Sequence, residues 1–277
     1  MPAFRNAIGM GIICRPFNLG ANQLSAVIVC LSYRDCLAAM LVAQQDIAVI
    51  ALEAAAAFIP VLIENRAALA IVDAEHPAAH ALILTAKTNA ATRRIPIVLV
   101  SGDATARTQA IVAGAELALD QAELAGQLPV IIGELARVPT SEELAQLECA
   151  CAQPLPPLAV DGVAAFNRSE YYQQHDLFEE LWVATAEPVG DLYRAILQVG
   201  VAYYQLERGN FRGALKMLQR SVQWLYPLPD VCQGIDVAAL RRDSYAVRAE
   251  LQRLGADRLD EFDRSLLKPL RWQLSQT

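Results

Sequence analysis

From residue 25 to 137 the apolar positions come in short blocks, each separated from the next by a longer amphipathic stretch. That rhythm alternates strand with helix and builds a parallel sheet. Five blocks predict five strands: AVIVCL at 26–31, IAVIA at 47–51, ALAIV at 68–72, IPIVLV at 95–100 and a weak LAL at 117–119. The first four are apolar throughout, as strands covered on both faces are. Helices fill the gaps at 33–45, 53–65, 78–89, 104–112 and 121–135, and Pro60 is expected to start, kink or shift the second of them.

Beyond residue 162 the strand-like blocks vanish, and apolar residues recur every three or four positions. Helices are predicted at 163–185, 191–208, 211–226, 236–254 and 257–274, with stop signals at Gly209-Asn210 and Gly255. Short connections imply antiparallel neighbours and hence a bundle. Between the halves runs VPTSEELAQLECACAQPLPPLAVDG. Thr140-Ser141 can cap one short helix there, and Pro154, Pro156 and Pro157 stiffen the chain after it. The expected division is a leader at 1–22, an α/β domain at 23–138, a Pro-rich linker at 139–160 and an all-α domain at 161–277.

A length of 277 residues fits two domains at roughly 100–200 residues each. Hydrophobic residues make up 55% of the chain and mean hydropathy is +0.28, which excludes disorder, yet no apolar run reaches the ~18 residues that span a bilayer. A net charge of -7 and a pI near 5.1 supply no basic field for a phosphate backbone. Neither nucleic acid nor membrane is expected as a partner. The six cysteines (Cys14, Cys30, Cys36, Cys149, Cys151, Cys232) form no C-x-x-C pair, and a chain this long needs no disulfide staples, so a reducing, cytoplasmic compartment is expected. Cys149 and Cys151 are taken as incidental. The opening MPAFRNAIGMGIICRPFNLG lacks a long apolar region and a small-residue cleavage site, so it reads as a disordered or extended leader rather than a signal peptide.

Five strand–helix rounds are the layout of a flavodoxin-like doubly wound domain, in which function sits at the carboxyl ends of the strands. Asp73 follows the third strand, Pro77 comes four residues later, Ser101 follows the fourth strand, and Gly114-Ala115 precede the fifth. This ordered set resembles the receiver domain of bacterial response regulators. The resemblance implies that Asp73 occupies the phosphoacceptor position and Ser101 the position that bonds the phosphoryl group. It also implies a pair of acidic residues after the first strand to hold a divalent cation, but that pair aligns with Cys30-Leu31, or with Leu31-Ser32 after a slip of one. The receiver's Lys aligns with Gln121, and the Pro after it with Ala122. A lone carboxylate holds Mg²⁺ poorly. The missing ligands therefore favour Asp73 as a residue capping the next loop and helix, and Ser101 as an ordinary helix-entry residue. His76 and His80 are four apart, with Pro77 between them, and are expected at the surface.

In the second half, His175, Asp176, Glu179 and Trp182 stand at offsets 0, 1, 4 and 7, which puts imidazole, carboxylate and indole on one helix face. The surrounding YYQQHDLFEELW, the later AILQVGVAYYQLERGNFRGALKML and Gly234 to Val237 resemble the bacterial family called domain of unknown function 309. Its members have been labelled metal-dependent hydrolases on their His and Glu clusters. The resemblance implies a divalent metal at His175, Asp176 and Glu179; Gln173 and Gln205 stand where the family has a Glu and a His. A hydrolytic metal needs about three protein ligands and an open position. The alternative is a hydrogen-bonded His175–Glu179 pair faced by Gln198 and Gln205 in a polar network that fixes helix register. Trp182, Tyr203, Tyr204 and Trp224 read as core aromatics.

These expectations favour a non-enzymatic signalling or adaptor protein without a cofactor, joined to a protein partner or a second copy through the face from Ala104 to Leu135. A charge at Ile131 tests that face if the side chain points outward. A metal-dependent hydrolase centred on the His175 helix and a functional phosphorelay receiver using Asp73 are the alternatives.

Overall fold

A computed structural model of the protein describes residues 26–31 and 47–273. The chain divides into two compact units with the boundary at Val138 and Pro139. The expected leader and the helix at 33–45 lie outside the described residues.

The first unit holds five strands, β1 (Ala26–Leu31), β2 (Ile47–Leu52), β3 (Leu69–Asp73), β4 (Ile97–Val100) and β5 (Leu117–Leu119). They form one parallel sheet in the order β2-β1-β3-β4-β5, the flavodoxin-like arrangement. The described helices of this unit are α1 (Ala55–Glu64), α2 (Ala79–Thr88), α3 (Ala104–Val112) and α4 (Gln121–Leu135). Successive strand side chains point to opposite faces, so an all-apolar strand feeds two cores. Val27, Val29 and Leu31 pack with Phe58, Leu62 and Ile83 on one face. Ile28, Cys30 and Ile71 pack with Leu124, Leu128 and Ile131 on the other. α1 runs through Pro60, which is exposed, so its ring meets solvent. A capping box between Asp120 and Glu123 starts α4.

Ile131 is 3% exposed and faces the sheet, so it is not an outward position on the 104–135 face. The heptad-like spacing of Leu124, Leu128 and Ile131 is the reason, since i, i+4 and i+7 share one side of a helix. Ile111, Val112 and Val130 are the outward large apolar residues of that segment. On the opposite flank of β4, Lys87 of α2 donates to Ile95 O at 2.8 Å and pairs with Glu116, whose second oxygen accepts from Ile97 N–H at 2.7 Å. Half-buried Lys87 therefore ties the residues that precede β4 to the residue that precedes β5.

The second unit contains α5 (Ser141–Cys151), α6 (Pro157–Asn167), α7 (Tyr171–Ala184), α8 (Gly190–Glu207), α9 (Phe211–Leu225), a two-stranded hairpin β6 (Val231–Cys232) and β7 (Ile235–Asp236), and α10 (Val237–Leu254). α8 is the central helix, buried along most of its length between α7 and α9. The segment 139–160, expected as an extended linker, is instead part of this unit. Thr140 and Glu143 form the anticipated capping box, Leu147, Cys151 and Leu155 enter the core, and Pro157 takes the first position of α6, where a fixed φ suits a helix start.

Three further differences have local causes. The single helix expected at 163–185 is two, α6 and α7, because Ser169 adopts a left-handed φ of 61° and turns the chain between them. The last expected helix, 257–274, is replaced over the described residues by short 3₁₀ turns at Ala256–Glu261 and Arg264–Leu266 and then extended chain; Pro269 cannot continue a helix. Asn167 holds that tail with two bonds to Leu270, at 3.1 and 2.7 Å, and Trp272 bridges to Ile235. Finally, Cys151 is not an incidental thiol, because it forms a disulfide with Cys232.

Candidate functional site

At the carboxyl edge of the sheet, β1 ends on Cys30 and Leu31, both wholly buried. Leu31 pairs with Val72, and Asp73 pairs with Val100, so these residues and Ser101 share one edge. Burial pushes the Cys30 thiol up to about 12, which keeps it neutral. Asp73 is 8% exposed, and its Oδ1 accepts from the Glu75 N–H at 2.9 Å. That bond closes a tight turn after the strand. Ser101 Oγ accepts from Asp103 N–H at 3.1 Å, while Asp103 caps α3 by accepting from Thr105 N–H. Arg107 reaches back to donate to Ser101 O at 2.7 Å.

His76 is not at the surface as expected: it is 5% exposed, while His80 is exposed. Its Nδ1 accepts from Ala78 N–H at 3.1 Å, so the ring folds over the turn that leads into α2, a helix with no side-chain cap of its own.

In the second unit, His175 Nδ1 lies 3.1 Å from Asp176 Oδ1, with the side chains 34% and 61% exposed. Glu179, one turn along α7, is exposed and makes no hydrogen bond to His175 among the described residues. Gln205 does not face them, because its Oε1 accepts from Asn210 Nδ2 at 2.7 Å and closes the α8–α9 turn. Gln198 is 5% exposed and its Oε1 has no partner among the described residues. Among the described residues, no group of three or more His, Cys, Asp or Glu side chains is arranged to hold a metal.

Two features of this unit were not legible as sites in the sequence. The Arg194 guanidinium lies between two indoles, 4.3 Å from the Trp182 ring centroid and 3.8 Å from that of Trp224, a cation–π stack joining α7, α8 and α9. The other is Gln174, wholly buried beside Gly200. Tyr203 and Trp224 are buried as expected, while Trp182 and Tyr204 are half-buried.

The α7–α9 face is also where the chain meets known sequences. Residues 159–217 match the family model of the domain of unknown function DUF309. That match covers α6 to mid-α9 and stops short of Gly234 to Val237. A stretch of 78 residues is 23% identical to an uncharacterized protein of Aquifex aeolicus (strain VF5); it spans 28% of this chain and 23% of that protein. Two solved structures match part of the chain. The Mn(2+)-bound form of response regulator Rcp1 is 16% identical with a TM-score of 0.35, over 42% of this chain and 97% of that one. Response regulator RPA3017, in red light signaling of R. palustris, is 14% identical with a TM-score of 0.33, over 42% of this chain and 99% of that one.

Proposed function

We propose that this protein is a non-enzymatic signalling or adaptor protein, in which a receiver-like domain that is not phosphorylated presents a contact face for a protein partner or a second copy. The observation that carries this reading is the end of β1. A phosphoryl group on Asp73 needs a divalent cation beside it, and hard cations take oxygen ligands. Cys30 and Leu31 fill that place with buried apolar atoms, and the buried thiol is held neutral. Asp73 and Ser101 are meanwhile engaged in the turns that start the following segments.

The contact face is the segment from Ala104 to Leu135. Ile111, Val112 and Val130 are its exposed apolar side chains, and β5 is an edge strand of the sheet. A cytoplasmic setting accompanies this reading; no helix of the described residues is long and apolar enough to cross a membrane. Incubation with acetyl phosphate and Mg²⁺, followed by intact-mass measurement, tests it. No added phosphoryl mass is expected, and stoichiometric label on Asp73 would overturn the reading in favour of a phosphorelay receiver.

A further inference from the structure

α5 is held to the second unit by little surface. Its buried residues are Leu147 and Cys151, Leu144 and Ala150 are half-buried, and the other positions are exposed, including the free thiol of Cys149. A helix of this length is marginal by itself in water. The junction at its last turn docks it. There Cys151 is disulfide-bonded to Cys232 of β6, and Gln233 carries a left-handed φ of 51°. The Gln233 N–H donates to Cys151 O at 2.7 Å, and its Nε2 donates to Ala150 O at 3.3 Å. Its Oε1 accepts from the Tyr193 hydroxyl of α8 at 2.8 Å. Cys232 is wholly buried, whereas Cys151 is 9% exposed.

We propose that Cys151 and Cys232 are a reversible redox couple that latches α5 onto the helical unit. The reductant is a dithiol. One of its thiolates attacks Cys151 Sγ, the more exposed sulfur, forming a mixed disulfide and breaking the Cys151–Cys232 bond. Cys232 leaves as a thiolate and takes a proton, since a buried sulfur favours the neutral form. The second thiol of the reductant then displaces Cys151, so two electrons and two protons end on the protein and the reductant leaves as its own disulfide. Exchange with an oxidised dithiol runs the sequence backwards. Because α5 directly follows the boundary at Val138 and Pro139, opening the latch converts residues 139–151 from docked helix into tether. In the cytoplasmic setting proposed above, on which this point rests, disulfides are characteristically transient and sensing, which fits a latch rather than a staple.

Amide exchange read by mass spectrometry on the full chain tests this. It compares oxidised protein, protein reduced with dithiothreitol, and the Cys151→Ser/Cys232→Ser variant. Exchange across 141–151 is expected to quicken about tenfold or more in the reduced protein and in the variant, while 190–207 keeps its protection. Oxidised glutathione should restore protection to the wild type alone. The proposal fails if exchange at 141–151 ignores redox state, or if the bond in the folded protein resists millimolar dithiothreitol. It also fails if 190–207 loses protection together with α5, which would make the cystine a staple of the whole unit. Recovery of both cysteines as free thiols after glutathione oxidation would remove the couple altogether.

Discussion

The side-chain amide of Gln174 on α7 is seated against the backbone of Gly200 on α8, so closely that a methyl group on residue 200 would overlap Gln174 Oε1. Gln174 is wholly buried, and neither atom of its amide has a hydrogen-bond partner among the described residues. Close approach of the two helices thus depends on a residue without a side chain, while a polar group is dehydrated without compensation.

Gly200→Ala is therefore expected to lower stability by about 1–3 kcal/mol through overpacking. Adding Gln174→Ala should recover part of that loss, since it removes the overlapping atoms. Gln174→Met alone should raise stability by roughly 1 kcal/mol, because it deletes an unpaired buried amide at similar volume. Urea midpoints of the three variants decide the matter; a Gln174→Met protein less stable than wild type would show that the amide is satisfied in solution.

Two positions in the 104–135 segment, one outward and one facing the sheet, separate assembly from folding. Val112 is 83% exposed and Ile131 is 3% exposed. Val112→Glu should change the mass distribution in light scattering with little effect on the thermal midpoint. Ile131→Glu buries an unpaired carboxyl and should cost several kcal/mol of stability. Asp73→Asn should leave the mass distribution unchanged. If Asp73→Asn shifted it and Val112→Glu did not, phosphorylation would be the better account of how this face is controlled.

Thiol reactivity follows burial. Cys149 is exposed, while the Cys30 thiol is raised to about 12 by desolvation. Iodoacetamide at pH 8.5 should label Cys149 in the native protein and leave Cys30 untouched until the sheet unfolds. The sign for stability is the same as for any acid held neutral by the fold: the contribution is fully present below the ordinary thiol range and is lost as pH rises towards about 12. An unfolding series should accordingly weaken on the alkaline side, and Cys30→Ala should flatten that limb. Rapid labelling of Cys30 in native protein would mean that β1 opens to solvent.

The one imidazole–carboxylate contact on α7, between His175 and Asp176, gives a metal at most two ligands, with Glu179 one turn further along. Metal analysis of protein purified without a histidine tag should give equal, near-zero content for wild type and His175→Ala. Stoichiometric zinc or manganese lost in the variant would restore a hydrolase reading centred on His175, Asp176 and Glu179.

The two-part plan was set by local pattern in the amino-acid sequence. All-apolar strand blocks can only be satisfied by a sheet covered on both faces, and AVIVCL, LAIV and IVLV occur as β1, β3 and β4. The amino-acid sequence also set the absence of carboxylates at residues 30 and 31, which no packing can reverse. Helix caps were equally local: Thr140 with Glu143 and Asp120 with Glu123 need only neighbours three residues apart. Tertiary structure decided whatever joins residues far apart in the chain. The Cys151–Cys232 bond spans 81 residues, and the Asn167–Leu270 pair spans 103. Spacing carries no signal for such partners. The same holds for Arg194 between Trp182 and Trp224, and for Gln174 against Gly200, which exist only because α7 and α9 flank α8. His76 makes the point at short range, because an imidazole beside a proline reads as surface until the fold of the turn brings its nitrogen onto the Ala78 amide.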